Sequence, residues 1–184
     1  PQDQWKQEVL TSTNPRVFIQ GAVALLVLGA DRDTSAEILT GCQKWLNGNL
    51  SDDNVLDLLR VTELALHRGG FTPAEQMGLL AISNKFPSRD ARVNRELIRT
   101  LVMLQDPTLA PRLVEFLKSN AAMDERIQAA ALARFLSTGW TPQLRSGLLD
   151  FIALARALEG GNSYRGYLTN FANDILKNMT PEEQ

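Results

Sequence analysis

One cysteine and one histidine are all that this chain of 184 residues offers for thiol or imidazole chemistry. Cys42 has no partner for an internal disulfide, and its place on an apolar helical stripe reads as a small buried hydrophobe. A Ser–His or Cys–His pair would have to use His67, which stands just before Gly69-Gly70, where an imidazole complements the negative end of a helix. Zinc needs clustered Cys and His, and one of each, far apart, excludes it. Charge of one sign is lacking too. A formal net charge of −2 and a pI near 5.5 argue against a general nucleic-acid surface, which needs a basic excess. The longest apolar stretch, Val17 to Ala30, contains Gln20 and is too short to span a bilayer. There is no Gly-rich phosphate loop, because the Gly pairs close helices rather than open them. No run alternates with period two, which leaves no candidate strand.

What the chain does contain is a beat. Thr34-Ser-Ala-Glu37, Thr72-Pro-Ala-Glu75 and Thr180-Pro-Glu-Glu183 repeat one helix-start signal, and Asp106-Pro107 and Thr141-Pro142 fall between them at spacings of 38, 34, 35 and 39 residues. A second series starts at Asn14, Asp52, Asp90, Asp124 and Asn162, stepping by 38, 38, 34 and 38. A Thr, Asp or Asn oxygen accepts from the orphan N–H groups of a first turn, and Glu three residues on completes a reciprocal box. Gly29, Gly48, Gly69-Gly70 and Gly160-Gly161 fall where a left-handed cap ends a helix. Behind the starts the apolar spacing is helical. Val17, Gly21, Leu25 and Leu28 form one stripe, and Val93, Leu97, Leu101 and Leu104 another. The partner faces are Ile38, Leu39, Cys42 and Leu46, then Leu113, Phe116 and Leu117, then Leu148, Phe151, Ile152 and Ala155. Two interleaved helix starts per period predict an all-α chain, a stack of about five antiparallel helical hairpins over residues 1–184 as one repeat domain. Both ends read as cut from a longer array, since Trp5, Val9 and Leu10 resemble the tail of an earlier helix and Thr180 opens a box whose helix is missing. End-to-end association of such exposed faces is the corresponding expectation.

The paired helices, the period, the Pro near the start of the first helix and the acidic residue opening the second make the chain resemble the HEAT-repeat family over nearly its whole length. It departs in placing Arg16, Arg92 and Arg126 just before, not after, the aliphatic residues Val17, Val93 and Ile127. The resemblance implies a right-handed α-solenoid acting as a non-catalytic protein-interaction scaffold or spacer, without a cofactor. Its partner would be a protein or a neighbouring domain of the parent chain. The enzyme alternative on resembling folds is a DNA glycosylase-like or bilin lyase-like protein. The segment Gly139-Trp-Thr-Pro142 through Gly160–Tyr167 is also similar to HEAT regions of large secreted planctomycete and verrucomicrobial proteins, which implies an extracytoplasmic, periplasmic setting.

Charge is unevenly spread. Residues 1–84 carry net −4, residues 85–165 net +4 and the tail net −2. In the positive part Arg92, Arg95 and Arg99 share a helical face opposite the apolar stripe, with Arg89 just before it. In resembling folds this face lines the concave surface. The arginines could grip an acidic partner with their planar forks, or form an internal ladder, since Asp57 occupies the position of Arg95 one period earlier. Trp140, Tyr164 and Tyr167 are the second candidate contact cluster, or else they seal a repeat junction. Asn47–Asp53 has the oxygen density of a calcium loop but Leu58 stands where the bidentate Glu should be, so an inter-helix turn is the better account. Asp31 and Asp33 read as a solvated acidic turn.

Overall fold

The computed structural model describes residues 2–161 and 163–181, and among these it is all-helical. Thr180 is described, whereas Glu183 of its expected box and Asn162 of the second series lie outside the described residues. The chain divides into two compact units, residues 1–100 and 101–184. The first holds α1 (Gln2–Leu10), α2 (Pro15–Val27), α3 (Arg32–Leu46), α4 (Asp52–Gly69), a single turn α5 (Pro73–Gln76) that continues as a 3-10 segment (Met77–Lys85), and most of α6 (Ala91–Met103). The second holds α7 (Leu109–Lys118), α8 (Met123–Ala133), α9 (Pro142–Arg156) and α10 (Tyr164–Lys177).

Where each helix begins follows from which oxygen meets its orphan amides. Asn14 accepts from the Arg16 amide at 2.9 Å, with Pro15 as the first residue of α2. Asp90 accepts from the amides of Arg92 and Val93 and opens α6, and Thr141 accepts from the Leu144 amide and opens α9. Other starts differ from the sequence expectation: α4 is capped by Ser51 ahead of Asp52, and α7 begins at Leu109, beyond Asp106-Pro107. α3 begins at Arg32 because Asp31, a stronger cap than Thr, accepts from the Thr34 amide at 2.8 Å. Glu37 is thereby released from the expected box, and Lys6 holds both Thr34 and Glu37 at 3.0 Å. At Thr72 only the Glu half of the box forms. Its amide and hydroxyl both donate to Glu75, and the helix tightens into 3-10 geometry after one turn. α8 begins at Met123 below Ala122, without a side-chain cap, and Asp124 sits inside the first turn.

Gly29 and Gly70 take positive φ values of 92° and 58° at the ends of α2 and α4, where a side chain would be strained. Gly48 and Gly160-Gly161, expected to do the same, do not: α3 ends on Asn47 and α9 on Ala157 in ordinary right-handed geometry.

In residues 1–100, α3 and α4 pack as the central pair, with α2 against α4 and α1 against α2. The stripe predicted for α2 is corrected. Val17 and Leu28 are 48% and 66% exposed, and Phe18, Ile19, Ala22, Leu25 and Leu26 form the buried face. α2 is apolar on nearly every side, so its rotation is decided by shape. Phe18 enters a hollow left by Gly41 on α3, where a Cβ would stand 2.5 Å from the ring, and lies 6.5 Å from Trp45. The other expected stripes, those of α3, α6, α7 and α9, are buried. In residues 101–184, α7 packs on α8 and α9, and α9 on α8 and α10.

Candidate functional site

The outward faces of α2, α4 and α6 are sewn together by arginine–carboxylate pairs, all within residues 1–100. Arg16 on α2 reaches Asp57 on α4 at 2.7 Å. Arg92 on α6 reaches Asp53 on α4 at 3.1 Å and folds back on Asp90 at 2.7 Å. Arg60 on α4 meets Glu96 on α6 at 3.3 Å and Asp57 at 3.7 Å. Arg99 stands between Glu96 at 3.1 Å and Glu63 at 4.0 Å, and Thr100 donates to Glu63 at 2.9 Å. Asp57, which the period sets opposite Arg95, is thus held by Arg16 and Arg60. Arg89 is exposed ahead of α6, and Arg95 is half-buried.

Burial separates these carboxylates. Glu63, lying between α4 and α6, has its pKa raised because desolvation outweighs the Thr100 hydrogen bond. Asp90 is pulled down to about 2 by the Arg92 guanidinium. Glu75 is likewise drawn down to about 2, first by Thr72 and then by Arg32, which lies 4.9 Å over the Phe71 ring. Burial pushes the Cys42 thiol up to about 12, so that it behaves as a small hydrophobe at neutral pH. His67 is exposed in the last turn of α4. The Asn47–Asp53 segment serves as a turn, in which Asn47 closes α3 and the Ser51 hydroxyl caps α4. Among the described residues no group of three or more His, Cys, Asp or Glu is placed to hold a metal ion.

The aromatic candidates do different jobs. Trp140 donates its indole N–H to the Leu136 carbonyl at 2.8 Å and lies under the Arg145 guanidinium at 4.4 Å, in a pocket where Arg145 is 1% exposed. Tyr164 donates to the Ala155 carbonyl at 2.9 Å and ties α10 to α9. Only Tyr167 faces solvent, 62% exposed.

Two surface features lie outside the sequence reading. The Arg134 guanidinium sits 4.6 Å from the Phe135 ring and 4.8 Å from that of Phe171, paired with Asp174 at 3.3 Å. An open groove of about 390 Å³ runs between α2 and α4, floored by Ile19, Val23, Val61 and Leu64 and flanked at one end by Arg16 and Arg60. Its signal in the sequence was the surplus of apolar residues on α2, more than one buried stripe can absorb. No helix among the described residues is long and apolar enough to cross a membrane. No family model, curated protein or solved structure matches this chain.

Proposed function

We propose that this chain is a non-catalytic protein-interaction module, a HEAT-like right-handed solenoid of about five hairpins that presents the outward faces of its second helices to a partner. The observation that carries the reading is the stitching of α2, α4 and α6 by Arg16–Asp57, Arg92–Asp53, Arg60–Glu96 and Arg99–Glu63. Each pair joins residues about one period apart, as stacked repeats require. The more exposed pairs, Arg16–Asp57 and Arg92–Asp53, add little to stability, roughly 0–1 kcal/mol each. What they do is hold long side chains in fixed places and so keep one helical face ordered in advance of binding. Beside the ladder, α2 leaves Val23 and Val27 39% and 66% exposed, and exposed apolar surface rimmed by polar groups marks contact sites.

The test is site-resolved photo-crosslinking in extracts of the source cells. A photoreactive residue at Gln20, on the groove side of α2, should yield discrete protein adducts, and one at Thr40, on α3, should not. The same adducts from both positions, or none from either, would defeat the reading.

A further inference from the structure

Two carboxylates share one guanidinium between α4 and α6, and their hydrogen bonds do not close. Glu63 Oε1 accepts from the Thr100 hydroxyl at 2.9 Å, while Glu63 Oε2 stands 4.0 Å from Arg99 Nη1. The same nitrogen stands 3.1 Å from Glu96 Oε2, and Glu96 Oε1 accepts from Arg60 Nε at 3.3 Å. Glu96 is 7% exposed, and its Oε2 is buried with no hydrogen bond among the described residues. Arg99 is near enough to it for an ion pair but out of line for an N–H bond. A buried acceptor in that state costs free energy that one well-placed donor recovers. Its neighbour across Arg99 is Glu63, which in the ionised form can only accept. The charges acting on Glu63 are Glu96 and Arg99 from α6 and Arg60 from its own helix. Arg95 is half-buried one turn before Arg99, and His67 is exposed one turn after Glu63. Of the other helices packed on α4, α2 carries only Arg16, which Asp57 holds. On α3, Arg32 and Glu37 are held by Glu75 and Lys6, and Asp33 and Lys44 are exposed.

We infer that Glu63 and Glu96 form an acid-operated latch across the seam between α4 and α6. A proton taken from solvent onto Glu63 Oε2 turns that oxygen into a donor for Glu96 Oε2, the buried acceptor that lacks one. The single negative charge left on the pair stays with Arg99 and Arg60. In the protonated state the two carboxyl groups bridge the helices directly; in the ionised state they repel each other and are held together only through Arg99. Burial of Glu63 raises its pKa above 4.5, so the latch is open at high pH and closes as pH falls through the raised value. Linkage fixes the sign. The native state holds this proton more tightly than the unfolded chain does, so acidification through that window tightens the seam rather than loosening it. The device depends on side chains within residues 1–100 and holds whether or not the helices stack as a solenoid.

The test is a pH titration of the intact chain by NMR. It follows the side-chain carboxyl carbons of Glu63 and Glu96 and the guanidinium of Arg99, with amide protection factors in α4 and α6 measured alongside. Glu63 should titrate with a midpoint above 4.5, and the Glu96 and Arg99 signals should move at that same midpoint. Protection in α4 and α6 should rise about threefold or more as pH falls through it. Glu63→Gln, whose amide supplies the donor at every pH, should show the higher protection already at pH 7 and remove the midpoint from the Glu96 and Arg99 signals. Glu63→Met, of similar volume but with neither charge nor donor, should remove the midpoint and leave protection below that of Glu63→Gln. Comparison of these two variants separates a hydrogen-bonded latch from mere relief of a buried charge. Titration of Glu63 at the ordinary glutamate value, no response of Glu96 or Arg99 at its midpoint, or equal protection in the two variants would overturn the inference.

Discussion

Gly139 shows what a single residue can conceal. Its φ is 76°, and a Cβ built there would lie 2.0 Å from the Pro107 carbonyl oxygen, so both the backbone conformation and the space forbid a side chain. Gly139→Ala is expected to cost about 2 kcal/mol or more, read as a lower urea midpoint with an unchanged slope. A midpoint equal to wild type would mean that this loop is not held against Pro107. Glu63 makes the opposite kind of prediction. Its folded pKa is raised by burial, so the charged form is disfavoured in the native state and the penalty is absent below the ordinary glutamate pKa of 4.5. As pH rises through the folded value the penalty becomes complete. Glu63→Gln should therefore raise the melting temperature at pH 7 relative to wild type, and the gain should fade toward pH 4. A gain that grows on acidification would contradict the assignment. Cys42, by contrast, was legible from its place in an apolar stripe, because burial of a small residue depends on periodicity alone. Neither the contact at Gly139 nor that at Glu63 was, since both depend on residues more than thirty positions away.

For the helices themselves, type was readable and detail was not. Stripes bounded by polar residues, as on α6 with Val93, Leu97 and Leu101, leave one possible buried face, and that face is buried. α2 offers several, and Phe18 opposite Gly41 chose among them. Caps behave likewise. Asn14 and Asp90, directly before α2 and α6, cap them as expected, whereas ahead of α3 the earlier and stronger Asp31 displaces Thr34. Asp31→Ala is accordingly expected to lower the melting temperature more than Thr34→Ala. Because the Thr34 hydrogen bonds hold the Asp31 pKa below 3.8, that contribution is present above pH 3.8 and is lost as pH falls below it. Equal effects of the two substitutions would return the cap to Thr34. Between helices, Arg16→Ala and Asp57→Ala should be non-additive by a few tenths of a kcal/mol up to about 1, and the coupling should shrink in high salt. Strict additivity would make the pair a surface coincidence.

At the scale of the molecule, the sequence carried the helical class and the uneven charge along the chain but not a partner, because exposed residues are not constrained by the packing that periodicity reports. The ion-pair ladder within residues 1–100 was half legible. The period set Asp57 opposite Arg95, whereas in the structure Arg16 and Arg60 hold Asp57, a choice that depends on side-chain reach. The proposed solenoid makes a further claim that differs from that of a single packed core. In a linear array each repeat is stabilised only by its neighbours, so a local loss of stability stays local; around one core it spreads to every element. Gly139→Ala supplies the perturbation. Under native conditions, amide exchange in α7, α8 and α9 should accelerate by roughly thirtyfold, the factor corresponding to about 2 kcal/mol, while the core amides of α3 and α4 exchange at wild-type rates. X-ray scattering should at the same time give a radius of gyration above the ~16 Å of a compact chain of this length. Acceleration by one common factor in α4 and α9, together with a radius near that compact value, would show a single cooperative globule, and the solenoid reading would fall with it.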